Sequence, residues 1–276
     1  MIKIGEYNTL RIDRDTGVGL FLTDDEGNDV LLPNKYVPEE FEIEDKIQVF
    51  IYRDSEDRIV ATDLKPLIKA GEYAYLRVKE VNDYGAFLDW GLEKDLLVPF
   101  RNQARRMQVD KSYIVHAYVD EQTDRLVASS KTNKFINEKL IALTPNQEVD
   151  LLVCGDSDLG VNVIVNNRYK GLIYHNELFQ PLYPGNRIKG YVKLIREDHK
   201  IDISLQKQGY DNIEPNAQKI LTTLKQNQGI LSLHDKSDPD AIYQVLKMSK
   251  KTFKKAIGML YKQKLITLEN DHIKLN

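Results

Sequence analysis

The sequence predicts a mainly β protein, in which three tandem five-stranded barrels are followed by a small α+β domain. Two observations predict the barrels: one stretch of the chain occurs three times, and its strand-like segments alternate polar and apolar residues. A third observation predicts the last domain, because after Gly209 the apolar residues take helical spacing. The chain is therefore predicted to contain four small domains rather than one large one.

The three copies align along the chain as one repeated unit. Val18–Asn34 matches Tyr84–Phe100 without a gap, so that Phe21 corresponds to Phe87. The third copy contains Leu159–Asn176. The repeat and the change of spacing predict barrels over residues 1–67, 68–143 (with a helical linker) and 144–211, and the last domain over 212–276.

Each unit is predicted to contain five short strands. In the segment Tyr75–Lys79, Leu76 and Val78 share one face, and the polar or aromatic residues share the other. Polar turns such as Asp54–Asp57 join the last two strands. A unit of this size is too small for a sandwich but sufficient for a closed barrel, which leaves no exposed edge. An SH3-like barrel fits the strand count nearly as well, so the choice between the two kinds of barrel depends on the sequence motifs.

Three motifs resemble the S1 domain, an oligonucleotide-binding (OB) barrel. They are YGAFLDW in the second copy and GLIYHNE and KIDISLQ in the third. The match is strong in these two copies and weak in the first. The resemblance implies that the second and third strands of each barrel face nucleic acid, which such barrels bind by stacking and phosphate attraction.

The second copy contains rings and cations in the predicted binding positions. Exposed rings stack on any base, and guanidinium groups pair with phosphate. The candidate RNA-binding residues of this copy are Arg77, Lys79, Tyr84, Phe87, Phe100, Arg101, Arg105 and Arg106. Two alternatives stay open here, since Phe87 could fill the barrel and the arginines could lie on a solvated loop. Trp90 is expected to cap the barrel rather than to stack on a base.

In the third copy Asn162 replaces the aromatic residue of the motif, and other candidate binding residues cluster nearby. An aromatic tip, an imidazole and an amide can contact the edge of an unpaired base. The candidates are Arg168, Tyr169, Tyr174, His175, Asn176 and Lys193. The first copy is acidic, with a net charge of −8 over residues 1–67, and has no ring after its third strand. It is expected to have a structural or protein-contacting role, because phosphates would be repelled.

The C-terminal segment is predicted to be a winged helix, with three helices followed by a hairpin. Asp238 and Ser249 are candidate N-caps, and Gly229 ends the first helix. The last helix places Lys250, Lys251, Lys254 and Lys255 opposite its apolar residues. This region has 11 lysines, no arginine and a net charge of +5, which favours contact with a phosphate backbone over reading of bases. The alternative is a winged helix that docks proteins.

The arrangement of barrels and winged helix, with SKKTFKKAIGMLYKQKLI in the winged helix, resembles the conserved virulence factor B family of bacteria. The resemblance covers essentially the whole chain. It implies an RNA-binding protein that regulates gene expression after transcription.

Several classes of function find no support in the sequence. It contains no Gly-x-Ser-x-Gly motif of hydrolases, no nucleotide-binding phosphate loop and no His-Glu-x-x-His motif of metalloproteases. Its acidic clusters fall in predicted turns rather than on one strand face. We therefore expect that the protein is not an enzyme and binds no metal or cofactor. A single cysteine and the absence of a long apolar run favour a soluble cytoplasmic protein. We therefore expect a monomeric regulator that binds single-stranded RNA. The alternative is an adaptor that docks ribosomal or transcription proteins.

Overall fold

The computed structural model describes residues 1–136, 141–178, 180–207 and 215–276. The chain divides into two compact units, Met1–Leu205 and Gln206–Asn276. The predicted domain boundary at 211/212 lies outside the described residues, as does much of the predicted helical linker, before which a 3-10 turn spans Thr132–Phe135. No helix in the described ranges is long and apolar enough to cross a membrane.

The first unit contains three five-stranded sheets, one for each repeat. The strands of the first sheet are β1 Tyr7–Thr16, β2 Gly19–Thr23, β3 Asp29–Pro33, β4 Lys46–Arg53 and β5 Ile59–Thr62. The strands of the second are β6 Tyr73–Asn82, β7 Gly85–Leu88, β8 Leu96–Pro99, β9 Ser112–Asp120 and β10 Arg125–Ser129. The strands of the third are β11 Glu148–Ser157, β12 Gly160–Val165, β13 Tyr169–Tyr174, β14 Arg187–Ile195 and β15 Ile201–Ser204.

The first and third sheets are closed barrels with the strand order of an OB fold. Their orders are β1-β2-β3-β5-β4 and β11-β12-β13-β15-β14. The seam between the third and fifth strands is parallel and short, with one residue pair in the first barrel and two in the third. In the second copy β8 and β10 lie side by side without a ladder, so its order is β10-β9-β6-β7-β8. The predicted fold class of three tandem five-stranded OB barrels is therefore confirmed, with two barrels closed and the second one a half-barrel.

The repeated glycine at the start of the second strand is required by a close backbone approach. A Cβ on Gly85 would lie 2.3 Å from the carbonyl oxygen of Val98, and the residue has a φ of 154°. Gly19 and Gly160 meet the facing strand in the same way. A side chain at these positions would force the second and third strands apart.

The barrels of the first unit share buried contacts. Phe50 of the first barrel packs edge-on against Trp90 of the second, with ring centroids 5.8 Å apart. Tyr73 of the second barrel packs with Leu152 and Ile164 of the third. Trp90 is 3% exposed, so it is buried as expected, but at the junction between two barrels rather than as the cap of one.

The second unit has the element order of a winged helix. Its elements are α1 Pro215–Gln226, β16 Ile230–Leu231, α2 Pro239–Leu246, α3 Lys250–Lys262, β17 Ile266–Leu268 and β18 Ile273–Leu275. The strands form one sheet in the order β16-β18-β17. The predicted caps are present, since Asp238 accepts from the Asp240 amide and Ser249 from the Thr252 amide. Phe253 and Leu260 anchor α3 in the core.

Candidate nucleic-acid interface

The wall formed by β7 and β8 presents rings to solvent in the second barrel. Gly85 pairs with Pro99, so the residues beside them, Tyr84 and Phe100, leave the ladder at the same end. Tyr84 is 77% exposed. Phe87 lies half-buried on the outer face of β7, paired with Leu97 of β8. The wall therefore offers one fully accessible ring and one partly accessible ring to an unpaired base.

The predicted arginine cluster is largely occupied by contacts within the second barrel. Phe100 opens a 3-10 turn after β8, and the guanidinium of Arg106 lies over its ring, 3.9 Å from the centroid. Arg105 lies over another ring of the same barrel, 5.5 Å from the centroid. Arg101 forms an ion pair of 2.8 Å with Asp120. All three arginines are exposed, but each would exchange an existing contact for a phosphate or a base.

The two cations predicted on β6 also have carboxylate partners. Arg77 lies 3.5 Å from Asp110, and Lys79 lies 2.8 Å from Asp95. Hydrogen bonding to Asp95 raises the pKa of Lys79 above its ordinary value. Both side chains lie on the exposed face of β6, as the alternation predicts. Exposed pairs of this kind contribute little to stability, so they can open when a phosphate competes.

The ring of Tyr169 is buried, which corrects the prediction that it stacks on a base. It is 4% exposed and packs in the core of the third barrel, because Tyr169, Gly171 and Ile173 alternate inward along β13. Its ring is therefore not available for stacking on a base. Arg168 remains exposed, with its guanidinium 5.4 Å from the centroid of that buried ring.

The end of β13 brings together the other candidates of the third barrel. Tyr174 is half-buried, and the guanidinium of Arg196 lies 5.8 Å from its ring centroid. His175 is exposed, and its Nε2 lies 2.7 Å from a carboxylate oxygen of Asp156, whose pKa is lowered by this hydrogen bond. Asn176 is exposed beside it. Lys193 forms an ion pair with Glu177.

A cleft of about 300 Å³ opens on the third barrel, and several of its lining residues are not among the predicted ones. Its walls include Asn162 of β12 and Leu172 of β13. The turn between β14 and β15 adds Arg196, His199 and Lys200. In OB folds this turn and the wall of the second and third strands bind oligonucleotides. The turn 196–200 contains two acidic residues beside Arg196, His199 and Lys200, so no basic run marks it in the sequence.

The corresponding wall of the first barrel is covered by its own side chain. Arg14 lies over the ring of Phe21, with its guanidinium carbon 4.1 Å from the centroid. Asp13 and Asp29 hold the guanidinium at 2.6 and 2.9 Å. The hydrogen bonds to these two carboxylates raise the pKa of Arg14 above its ordinary value. The motif ring of the first copy is therefore not open to a base.

The lysines of α3 form an exposed row in the second unit. Lys251, Lys254 and Lys255 are exposed and form no ion pair within the part of the chain that the structure describes. Lys250 is half-buried, with its Nζ 3.3 Å from the carbonyl oxygen of Lys236. Tyr261, an aromatic residue outside the predicted set, is 55% exposed further along α3.

Comparison with known proteins identifies the domains and the family. The model of the S1 domain matches residues 4–63 and 70–131, so it includes the first copy, whose motifs resemble S1 only weakly. The model of the CvfB-like winged helix domain matches residues 218–275. S1 and winged-helix domains are nucleic-acid-binding domains rather than enzyme families.

Similar proteins extend over nearly the whole chain. YitL of Bacillus subtilis is 33% identical over 98% of this chain and 92% of its own length. Conserved virulence factor B of Staphylococcus epidermidis is 24% identical over 99% and 94%. A crystal structure of a multidomain protein with nucleic acid binding domains from Streptococcus pneumoniae is 24% identical in sequence. The match covers 99% of this chain and 98% of that one, with a TM-score of 0.44. The chain belongs to the conserved virulence factor B family.

Proposed function

We propose that the protein binds single-stranded RNA in the cytoplasm and regulates gene expression after transcription. The second and third barrels supply rings and clefts for unpaired bases, and the lysine row of α3 supplies contacts to phosphates. One observation carries the proposal: the OB wall is open in the second barrel, where Tyr84 is exposed, and covered by Arg14 in the first. An exposed ring gains about 1–3 kcal/mol per stacked base and reads no sequence.

The preference for single strands follows from the geometry of the rings. Bases in a duplex are stacked on each other and hide their faces, whereas unpaired bases can stack on Tyr84. The lysines of α3 act differently, because an ammonium group is attracted to phosphate in either kind of strand. The barrels therefore account for selectivity, and the winged helix adds affinity.

The proposal is tested by fluorescence anisotropy of the full chain with labelled poly-U, poly-A and duplex DNA at several salt concentrations. We expect tighter binding of the single strands and a steep loss of affinity as the salt rises. Replacing Lys254 and Lys255 with Gln should make the log–log salt slope shallower by about 1.4, since each phosphate neutralised on a single strand contributes about 0.7. The control is the same double replacement at Lys219 and Lys274, which are exposed elsewhere on the winged helix.

An adaptor that docks ribosomal or transcription proteins is the second candidate, and α2 supplies its support. Tyr243 is 59% exposed and Val245 is 48% exposed, so apolar surface faces solvent on this helix. Such surface is typical of protein contacts. A shallow salt dependence with no preference for polynucleotide would favour this function over RNA binding.

A further inference from the structure

A second cleft, of about 430 Å³, lies between the first and second barrels. One wall is the ring-bearing face of the second barrel, with Tyr84, Phe87 and Leu97. The other wall comes from the turn between β4 and β5 of the first barrel, with Ser55 and Asp57. Its volume falls in the range of pockets that hold small ligands. The acidic first barrel therefore contributes directly to a cleft on the candidate RNA-binding face.

Two ion pairs that cross the junction fix the position of this turn. Arg53 of the first barrel donates to Asp124 of the second, at 3.0 Å to both the carboxylate and the carbonyl oxygen. In the reverse direction, Arg125 of the second barrel donates two hydrogen bonds, of 3.0 and 2.9 Å, to Asp57 of the first. The packing of Phe50 on Trp90 lies in the core shared by the two barrels. The two walls are thus held together before any ligand binds.

The cations that line the cleft already have partners within the first two barrels. Arg125 is paired with Asp57, and Lys94 donates to the carbonyl oxygen of Asp54 at 2.5 Å. Burial lowers the pKa of Lys94 below its ordinary value. A phosphate that entered would meet the carboxylate of Asp57 and cations that already have partners. The surface therefore favours a flat neutral group, for which Tyr84 and Phe87 provide the stacking face.

Ser55 provides a polar group at the edge of the cleft. It is exposed at the turn, lines the cleft and forms no hydrogen bond in the part of the chain that the structure describes. Its hydroxyl can donate to or accept from the edge of a base. Rings on one wall and a hydroxyl on the other are the features that recognise an unpaired nucleobase.

We propose that this cleft is a base pocket built by two barrels, which takes one unpaired nucleobase and leaves its phosphates outside. The inference rests on the proposed RNA binding and assigns a binding role to the first barrel, whose own motif ring is covered. The turn Asp54–Asp57 is one wall of the pocket, and the face with Tyr84 is the other.

The test uses 12-nucleotide RNAs that carry one 2-aminopurine, a fluorescent base that is quenched by stacking, at successive positions. We expect the full-length protein to quench one position strongly. Ser55→Leu narrows the pocket from the side of the first barrel and should abolish that quenching, with a loss of affinity of about 5- to 150-fold, equivalent to one stacked base. Tyr84→Leu should remove the quenching as well. The matched control is Gln122→Leu, an exposed residue of the neighbouring turn that does not line the cleft.

The possible outcomes separate this inference from the proposed function. If Tyr84→Leu abolishes quenching while Ser55→Leu quenches and binds like the unmodified protein, the ring binds bases without a wall from the first barrel, and the inference is overturned. If Ser55→Ala reduces binding as Ser55→Leu does, the hydroxyl contacts the base, and the pocket is supported. If the unmodified protein does not bind any RNA, the proposed function itself is rejected. Equal urea midpoints for all variants exclude misfolding as the cause.

Discussion

Phe50 tests whether the first and second barrels unfold as one unit. Its ring is fully buried and packs edge-on against Trp90 across the junction. Phe50→Ala removes a buried ring, at a cost of about 3–5 kcal/mol of unfolding free energy. With an m-value of about 2 kcal/mol/M, the midpoint of urea unfolding should fall by roughly 1.5–2.5 M. Trp90 is the sole tryptophan, so its fluorescence reports the state of the second barrel at this junction.

The control replaces an equally buried ring outside this core. Phe253 lies in the core of the winged helix, in the other compact unit. Phe253→Ala should lower the midpoint of helix loss measured by circular dichroism and leave the fluorescence transition of Trp90 in place. A fluorescence midpoint that does not move in Phe50→Ala would refute the reasoning, because the second barrel would then be stable without the ring of the first.

The remaining predictions concern a glycine and a buried histidine. Gly85→Ala should lower the free energy of unfolding by ~1–3 kcal/mol, because Gly85 has a φ of 154° and lies close to Val98. Gly258→Ala should raise it by ~0.5–1 kcal/mol, because a Cβ there meets nothing within 4 Å. Equal urea midpoints for the two variants would contradict this prediction. Burial lowers the pKa of His116 from 6.5 to about 4, so the unfolded chain binds more protons between these values. The free energy of unfolding, measured with urea, should be highest above pH 6.5 and should fall by about 2–3 kcal/mol towards pH 4. His116→Phe, which keeps a ring against Phe135, should flatten this dependence; an unchanged slope would contradict it.

The sequence predicts the repeated fold well because the repeat and the alternation are local properties. The motif glycines show where strands approach each other, and the caps Asp238 and Ser249 mark helix starts. The same alternation would have placed Tyr169 inward, since it shares a face with Ile173, which corresponds in the repeat to a core residue. That error came from reading a cluster of polar neighbours instead of the period of the strand.

The contacts between barrels could not be predicted, because they depend on how one copy packs against the next. The turn Asp54–Asp57 looks like a solvated acidic loop in the sequence, yet Asp57 is paired with Arg125 of the second barrel. The burial of Trp90 was expected, but not the partner Phe50 that belongs to another copy. Alignment of repeats compares equivalent positions and contains no information on contacts between positions that are not equivalent.

The proposed RNA binding should depend differently on the two units, because their cations differ in their partners. On the second barrel Lys79 and Arg101 are already paired with carboxylates, so a phosphate gains only the difference between the new contact and the one it replaces. On α3, Lys254 and Lys255 have no ion pair among the described residues, so the whole attraction is available to a phosphate. Salt should therefore weaken mainly the contribution of the winged helix. Substitution of Tyr84 should change the preference for unpaired bases and leave the salt slope nearly unchanged, because stacking releases no counterions.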